Sequence, residues 1–191
     1  MIYSLTLESH KEHWQSALGD LADNQLVCKR TKCAFAQTSV EYLGHVISDK
    51  GVSMDKSKIE CILSWPVPKS VKELRGFLGL TGYYRRFVKD YGVISKPLTL
   101  LLKKDGFAWG PRAQIAFEDL KEAMTTAPVL SLPNFEFPFV IETDACGVGI
   151  GAVLMQQGHP IAFLSKALAT QNLGMSVYET ELFALVMAVT K

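Results

Sequence analysis

The sequence lacks the features that mark membrane, secreted and zinc-binding proteins. No run approaches the ~18 apolar residues that span a bilayer, and no basic segment followed by an apolar core stands at the start, as in a secretory signal. Cys28 and Cys33 are separated by four residues, and no Cys or His pair follows at zinc-ligand spacing. We therefore expect a soluble, intracellular protein with reduced thiols and no membrane partner.

Net charge is also scarce, because the formal charge of all 191 residues is only +1. The charge is unevenly distributed: residues 69–104 contain nine Lys or Arg against two acidic residues, a net +7 that leaves −6 for the remainder. A local basic stretch is the usual electrostatic footprint of a nucleic-acid contact. A solvated charged helix has the same composition, so the charge pattern alone leaves both interpretations open.

Helical and strand patterns predict an α+β fold. A candidate capping box at Ser9 and Glu12 opens a first helix toward Asn24, and another at Ser70 and Glu73 opens a longer helix toward Asp90. Three prolines mark the best candidate for a domain boundary: Pro128, Pro133 and Pro138. The other predicted elements are strands over 26–29, 33–36, 40–48, 139–144, 147–155 and 160–165, and helices capped by Asp55, over 96–103, from Pro111 and over 178–190.

The most distinctive stretch of the sequence runs from Phe77 to Val88. On a helix, Arg75, Gly79 and Tyr83 fall at i, i+4 and i+8 and share one face. Such a face offers a nucleic-acid backbone a long donor, bare main chain and an aromatic platform. The alternative is that Gly79 and Gly82 permit tight helix packing and that the tyrosines belong to the core. Three cations that could add phosphate contacts follow: Arg85, Arg86 and Lys89.

Several blocks of the sequence, in this order, resemble the Pol polyprotein of gypsy-type LTR retrotransposons. They span nearly the whole chain: Glu41–Ser48, Trp65–Pro68, Glu73–Phe87, Ile141–Ala145 and Tyr178–Ala184. The resemblance implies the end of a reverse transcriptase and the start of a ribonuclease H domain. The implied fold has a palm-end hairpin and a helical thumb, followed by an incomplete antiparallel three-stranded sheet with one helix.

The same resemblance implies a division of the chain and a set of nucleic-acid-binding residues. Leu43, Gly44 and His45 resemble the primer-grip hairpin, and the helix with Arg75, Gly79 and Tyr83 resembles the thumb helix that follows the minor groove of the template–primer. The implied partners are primer–template or RNA–DNA hybrid, with the remainder of the polyprotein as a further candidate. The regions are the palm end at 1–53, the thumb at 54–108, the connection at 109–136 and a truncated ribonuclease H-like domain at 137–191.

Catalytic carboxylates are fewer than the family's chemistry needs. The family's paired polymerase aspartates stand directly before an Ile-Tyr-Ser segment, whereas here Met1 precedes Ile2-Tyr3-Ser4, and no Asp-Asp dipeptide occurs anywhere. Asp144 and Glu181 match the first two ribonuclease H carboxylates, and the family draws further aspartates from a later strand and helix. Since two-metal chemistry needs more ligands than these, we expect Asp144 and Glu181 to bind the family's Mg²⁺ only weakly.

Three functional hypotheses follow from the sequence. The first is a reverse transcriptase/ribonuclease H fragment that keeps nucleic-acid-binding parts and is catalytically incomplete. The second is a non-catalytic module that grips primer–template or hybrid, and the third is a host-adopted packing or interaction protein, which exposed apolar surface would favour. The open edge of a partial ribonuclease H sheet should also make that half unstable or prone to pair with other chains.

Overall fold

A computed structural model describes residues 2–4, 6–103, 106–169, 172 and 174–191. It divides into two compact units, residues 1–40 and 41–191. The fold mixes helices with two three-stranded sheets, so the predicted α+β class is confirmed. Within the described ranges, no helix is long and apolar enough to cross a bilayer. The finer four-part division at residues 53, 108 and 136 stays a prediction.

The first unit contains one long helix, α1 (Leu7–Asp23). Its capping box is formed by Thr6 and Ser9, so the predicted box at Ser9 and Glu12 is wrong. Thr6 takes the extended N-cap conformation, and its hydroxyl accepts the Ser9 N–H at 3.2 Å. The helix therefore begins one turn earlier than the sequence suggested.

The strands predicted at 26–29 and 33–36 are wrong. All of these residues are described, and none is assigned to a strand. The segment between them forms a single 3₁₀ turn, Arg30–Lys32. A strand requires a hydrogen-bonded neighbour, and β-like composition does not supply one.

The first sheet has the order β1 (Ser39–Tyr42), β2 (His45–Ser48) and β3 (Gly51–Met54). The predicted single strand over 40–48 is wrong, because Leu43 and Gly44 turn the chain with φ of 50° and 76°. Two successive left-handed residues are what a tight β-hairpin requires. Strands β2 and β3 pair in antiparallel fashion, from His45 opposite Met54 to Ser48 opposite Gly51.

Five helices follow and enclose the main core. Asp55, Ser70 and Pro111 begin helices as predicted. The side chains with no exposed surface include Leu74, Phe77, Phe117, Leu120 and Met124. The helices are α2 (Lys56–Leu63), α3 (Val71–Tyr83), α4 (Tyr91–Ile94), α5 (Lys96–Leu100) and α6 (Pro111–Thr125).

Helix α3 is shorter than predicted, because it ends at Tyr83 rather than near Asp90. The next side chain, Tyr84, turns into the core and is 1% exposed, and a 3₁₀ turn (Arg85–Phe87) buries Phe87 completely. Burial of these two rings diverts the chain from the helical path. The helix predicted over 96–103 likewise ends early, at Leu100.

The second sheet is an antiparallel meander of β4 (Val140–Cys146), β5 (Gly149–Gln156) and β6 (His159–Ala167), in that order. It is followed by α7 (Val177–Val189). The predicted three strands and one helix are confirmed, with ends shifted by a few residues. Among the described residues of this region, the buried members of its own apolar cluster are Ile150, Leu168 and Ala184.

Helix α7 packs on the sheet's cluster through Ala184 and the partly buried Phe183 and Met187, and leaves its other large apolar residues exposed. Its buried residues are Thr180 and Ala184. The apolar face that the sequence identified is instead turned away from the protein: Leu182 is 61% exposed and Val189 67%, and Leu185 and Val186 are also exposed. This part of the protein therefore presents apolar surface beside the edge strand β4.

Candidate nucleic-acid interface

The predicted face of helix α3 exists and is open to solvent. Arg75, Gly79 and Tyr83 are all exposed on this one helix. A Cβ built on Gly79 would meet no atom within 4 Å, whereas one on Gly82 would meet the Tyr91 hydroxyl oxygen at 3.4 Å. The Cβ position of Gly82 is therefore within ordinary contact distance of a neighbour, whereas packing gives no reason for a small residue at Gly79.

The two tyrosines at the end of α3 occupy different environments. Tyr84 is 1% exposed and belongs to the core, as the packing interpretation expects, while Tyr83 is 53% exposed. Burial raises the pKa of the Tyr84 hydroxyl, so the group stays protonated and able to donate. Only Tyr83 offers an aromatic surface to a ligand.

Both tyrosine hydroxyls reach back to the turn between β1 and β2. Tyr83 donates to the Leu43 carbonyl oxygen at 2.7 Å, and Tyr84 donates to the Gly44 carbonyl oxygen at 2.8 Å. A Cβ on Gly44 would lie 2.7 Å from the Tyr84 hydroxyl oxygen, so this close approach requires glycine. Leu43, which is 69% exposed, forms the tip of the hairpin. The hairpin tip thus lies against the end of α3.

His45 fills the space between the hairpin and the helix end. Its ring stacks on Tyr83 with centroids 5.3 Å apart and on Phe87 at 5.5 Å, and it meets Tyr84 edge-on. Burial, together with the Arg86 charge, lowers the pKa of His45, so the ring is neutral at pH 7. Among the described residues its buried Nδ1 has no hydrogen-bond partner. His45 contributes position rather than charge to this surface.

The predicted cations after α3 are exposed and lie beside the second sheet. Arg85 and Arg86 border an open cavity of about 780 Å³, with Lys166 from β6 and Lys191 on its rim and apolar side chains such as Leu154 on its floor. Lys89 borders a smaller cavity of about 270 Å³. The structure therefore groups Arg85 and Arg86 with Lys166 and Lys191, which the sequence did not single out.

The two predicted catalytic carboxylates are both exposed, and of the two only Asp144 borders the smaller cavity. Asp144 lies on β4 opposite Gly151 and borders the smaller cavity with Asp90 and Glu142, whereas Glu181 on α7 is not part of its lining. Over the described ranges, no three His, Cys, Asp or Glu residues come together as a metal-binding group. Carboxylates are the ligand type that Mg²⁺ prefers, and the roles of Asp144 and Glu181 as its ligands stay predictions.

Comparison with known proteins places these features in a class. Residues 109–191 match the family model of an RNase H-like domain found in reverse transcriptase. The fold resembles a solved foamy viral protease–reverse transcriptase in complex with RNA/DNA hybrid, with a TM-score of 0.91 over 99% of this chain and 26% of that chain. At 23% identity this likeness shows the fold alone. The class that these two matches indicate for residues 109–191 is an RNase H-like domain of the kind found in reverse transcriptase.

Two relatives narrow the class. The chain is 41% identical over 190 residues to the retrovirus-related Pol polyprotein from transposon 297 of Drosophila melanogaster, a match of 98% of this chain and 18% of that protein. It is 56% identical over 119 residues to an uncharacterized mitochondrial protein of Arabidopsis thaliana, with 61% of this chain and 75% of that protein covered. The chain is thus a homologue of transposon Pol polyproteins, and it spans less than a fifth of the length of the transposon 297 polyprotein.

Proposed function

We propose that this chain holds nucleic acid, as primer–template duplex or RNA–DNA hybrid, along the exposed face of α3 and the adjoining hairpin tip. The observation that carries the proposal is the open space over Gly79, between the exposed side chains of Arg75 and Tyr83. Glycine weakens a helix interior by ~1 kcal/mol relative to alanine. No packing contact repays that cost here, whereas a ligand backbone approaching the helix closely would.

The chemistry of this surface suits a phosphate backbone. Arg75, Arg85, Arg86 and Lys89 are exposed donors around the helix and its end, and such side chains bind phosphates without regard to sequence. The Tyr83 ring offers a stacking or sliding surface. Contacts of this kind release counterions, so the affinity should fall steeply with salt.

A salt titration of duplex binding tests this proposal. The full 191-residue chain is titrated against a fluorescent primer–template, and the Arg75→Ala/Arg86→Ala variant should reduce the slope of log K against log salt by about 1–2. The matched control is Lys56→Ala/Arg112→Ala, which removes the same charge from exposed positions on α2 and α6. Binding without salt dependence, or equal loss in both variants, would contradict the proposal.

We further propose that this chain alone performs neither strand extension nor hybrid cleavage. The proposal is supported by the absence of an Asp-Asp dipeptide from the sequence and by the small number of ribonuclease H carboxylates, Asp144 and Glu181. A complete site would need ligands from outside these 191 residues. Extension and hybrid-cleavage assays with Mg²⁺ on the purified chain should both be blank, and robust activity that Asp144→Asn abolishes would overturn the proposal.

A second candidate function, binding a protein partner, is supported by the apolar surface of α7. Leu182, Leu185 and Val189 are exposed together on this helix, and exposed apolar patches favour association. A further part of the same polyprotein would suit this surface, and in the isolated chain a second copy of the chain takes its place. Light scattering should show concentration-dependent self-association of the isolated chain, reduced by Leu182→Glu/Leu185→Glu and unchanged by Glu118→Gln on α6. A monodisperse chain with no such dependence would count against this function.

A further inference from the structure

The hairpin turn and the end of α3 are joined by hydrogen bonds between residues 40 positions apart in the sequence. The carbonyl groups of both central turn residues, Leu43 and Gly44, are engaged, each by a different tyrosine hydroxyl. Neither tyrosine needs its hydroxyl for burial: Tyr83 is half exposed, and the Tyr84 ring would pack as well without a polar atom. The hydroxyls therefore have a separate role, which is to fix the turn on the helix.

His45 makes this junction rigid. Its ring lies between those of Tyr83 and Phe87, with interplanar angles of 13° and 29°. Because His45 is the first residue of β2 and both flanking rings belong to the end of α3 and its 3₁₀ turn, the strand cannot slide along the helix without unstacking. Stacked aromatic pairs add ~0.5–1.5 kcal/mol beyond their buried area. The hairpin tip and the helix thus form one preformed body.

We propose that Tyr83 and Tyr84 are positioning residues whose hydroxyls hold the hairpin tip and the exposed face of α3 as a single preassembled nucleic-acid-binding surface. A duplex then meets Leu43 at the tip and Gly79 on the helix at a fixed separation. This inference rests on the proposed nucleic-acid-binding function. A preordered surface binds more tightly because no ordering has to occur on binding.

Removing the hydroxyls leaves the fold intact, which makes the inference testable. The Gly44 carbonyl oxygen also accepts the Asp55 N–H at 3.2 Å, so Tyr84→Phe does not leave it without a donor. The Leu43 carbonyl belongs to an exposed residue, so water replaces the Tyr83 hydroxyl. Both phenylalanine variants keep the ring that packs against His45.

The experiment compares the double variant Tyr83→Phe/Tyr84→Phe with Tyr91→Phe in the full chain. Tyr91 shares a hydroxyl–hydroxyl hydrogen bond of 3.1 Å with Thr81 of α3 but does not bond to the hairpin turn. Three quantities are measured: the unfolding midpoint, the hydrogen-exchange rate of the Asp55 amide without ligand, and affinity for a fluorescent primer–template duplex. The Leu74 amide, which bonds to Ser70 at the start of α3, is the internal reference for exchange.

We expect the double variant to speed Asp55 exchange relative to Leu74 and to weaken duplex affinity about fivefold, because a turn released from both hydroxyls has to be ordered on binding. Tyr91→Phe should lower the unfolding midpoint without changing the Asp55 exchange rate or the duplex affinity. A further prediction is that Leu43→Ala weakens binding in the unaltered chain and has little additional effect in the double variant. A role in folding alone would move the midpoint and leave the affinity of the folded protein unchanged.

The outcomes separate this inference from the function on which it rests. Unchanged Asp55 exchange in the double variant shows that the hydroxyls do not hold the turn, and overturns the inference. Faster exchange with unchanged affinity overturns the positioning role while nucleic-acid binding stands. If the unaltered chain shows no salt-dependent binding, the proposed function is overturned, and the positioning role with it. This holds even if the exchange rates show that the hydroxyls hold the turn on the helix.

Discussion

The helical region over residues 54–125 and the second sheet with α7 bury their apolar side chains to very different extents. The helical region encloses Leu74, Phe77 and Phe117 with no exposed surface, whereas the second sheet's own cluster has only Ile150, Leu168 and Ala184. Since apolar burial is the main stabilising contribution to a fold, the helical region can hold its shape from its own contacts. The second sheet buries fewer residues of its own and is also held by the helical region, against whose core Phe163 packs.

The surfaces that the two regions expose also differ in chemistry. The open face of α3 is basic and has bare backbone at Gly79, while the open face of α7 is formed by Leu182, Leu185 and Val189. A basic face on a rigid helix suits an anionic ligand, and an apolar face suits a protein surface. The contrast assigns the proposed nucleic-acid binding and the proposed partner binding to different parts of this chain.

The largest difference in unfolding free energy should be between a substitution in the buried core of the helical region and one on the exposed apolar face of α7. Phe77→Ala removes a fully buried ring from the helical core and should lower the free energy of unfolding by about 3–5 kcal/mol. Leu182→Ala, on the exposed face of α7, should change it by less than ~0.5 kcal/mol. Urea denaturation followed by circular dichroism measures both. A comparable loss in Leu182→Ala would mean that α7 is buried in solution and would break the comparison.

A smaller difference in unfolding free energy should distinguish glycine substitutions in the hairpins of the two sheets. Gly44 and Gly158 both have positive φ, 76° and 78°, but a Cβ on Gly44 would lie 2.7 Å from the Tyr84 hydroxyl oxygen and one on Gly158 would meet nothing within 4 Å. Gly158→Ala should therefore cost only the backbone strain, about 1 kcal/mol, and Gly44→Ala should cost about 2–3 kcal/mol. Equal losses of unfolding free energy would show that the contact between turn and helix is loose.

The smallest effect should be a pH dependence specific to the first hairpin. The folded pKa of His45 lies below the ordinary value of 6.5, so the unfolded chain binds the proton first as the pH falls. Stability should thus decrease as the pH drops below about 6.5 and level off below the folded pKa, with no contribution from this group at higher pH. Urea midpoints from about pH 8 to pH 5 test this. His45→Phe should flatten this part of the curve, and an unchanged slope would contradict the assignment.

Sequence periodicity predicted the α3 face correctly, because which residues share a helix face is a local property. It could not predict that Tyr83 and Tyr84 bond to a turn 40 residues earlier, since that contact depends on the path of the whole chain. The single strand over 40–48 was misassigned because Leu43, a residue that rarely takes positive φ, does so here. Periodicity also identified the apolar face of α7. It could not predict that this face points to solvent, because the helix instead buries Thr180 and Ala184.

The catalytic and binding roles assigned to residues from the sequence stay predictions, because such roles also depend on contacts between distant parts of the chain. Family blocks single out Asp144 and Glu181 by position in the sequence, but only their three-dimensional neighbours decide whether they act together. The i, i+2 spacing of Glu142 and Asp144 on a strand predicts that they share a face, but nothing in the sequence predicts that Asp90 lines the same cavity.

The central claim, that the open glycine on α3 serves a ligand rather than the fold, is tested most directly by Gly79→Ala beside Gly76→Ala. Both substitutions remove a glycine from the same helix, and the added methyl group meets nothing at position 79 and the Trp65 ring at 3.4 Å at position 76. Each should raise the free energy of unfolding by up to about 1 kcal/mol. We predict that duplex affinity falls only in Gly79→Ala, which becomes more stable yet binds less tightly. Increased stability with unchanged affinity at position 79 would contradict the account.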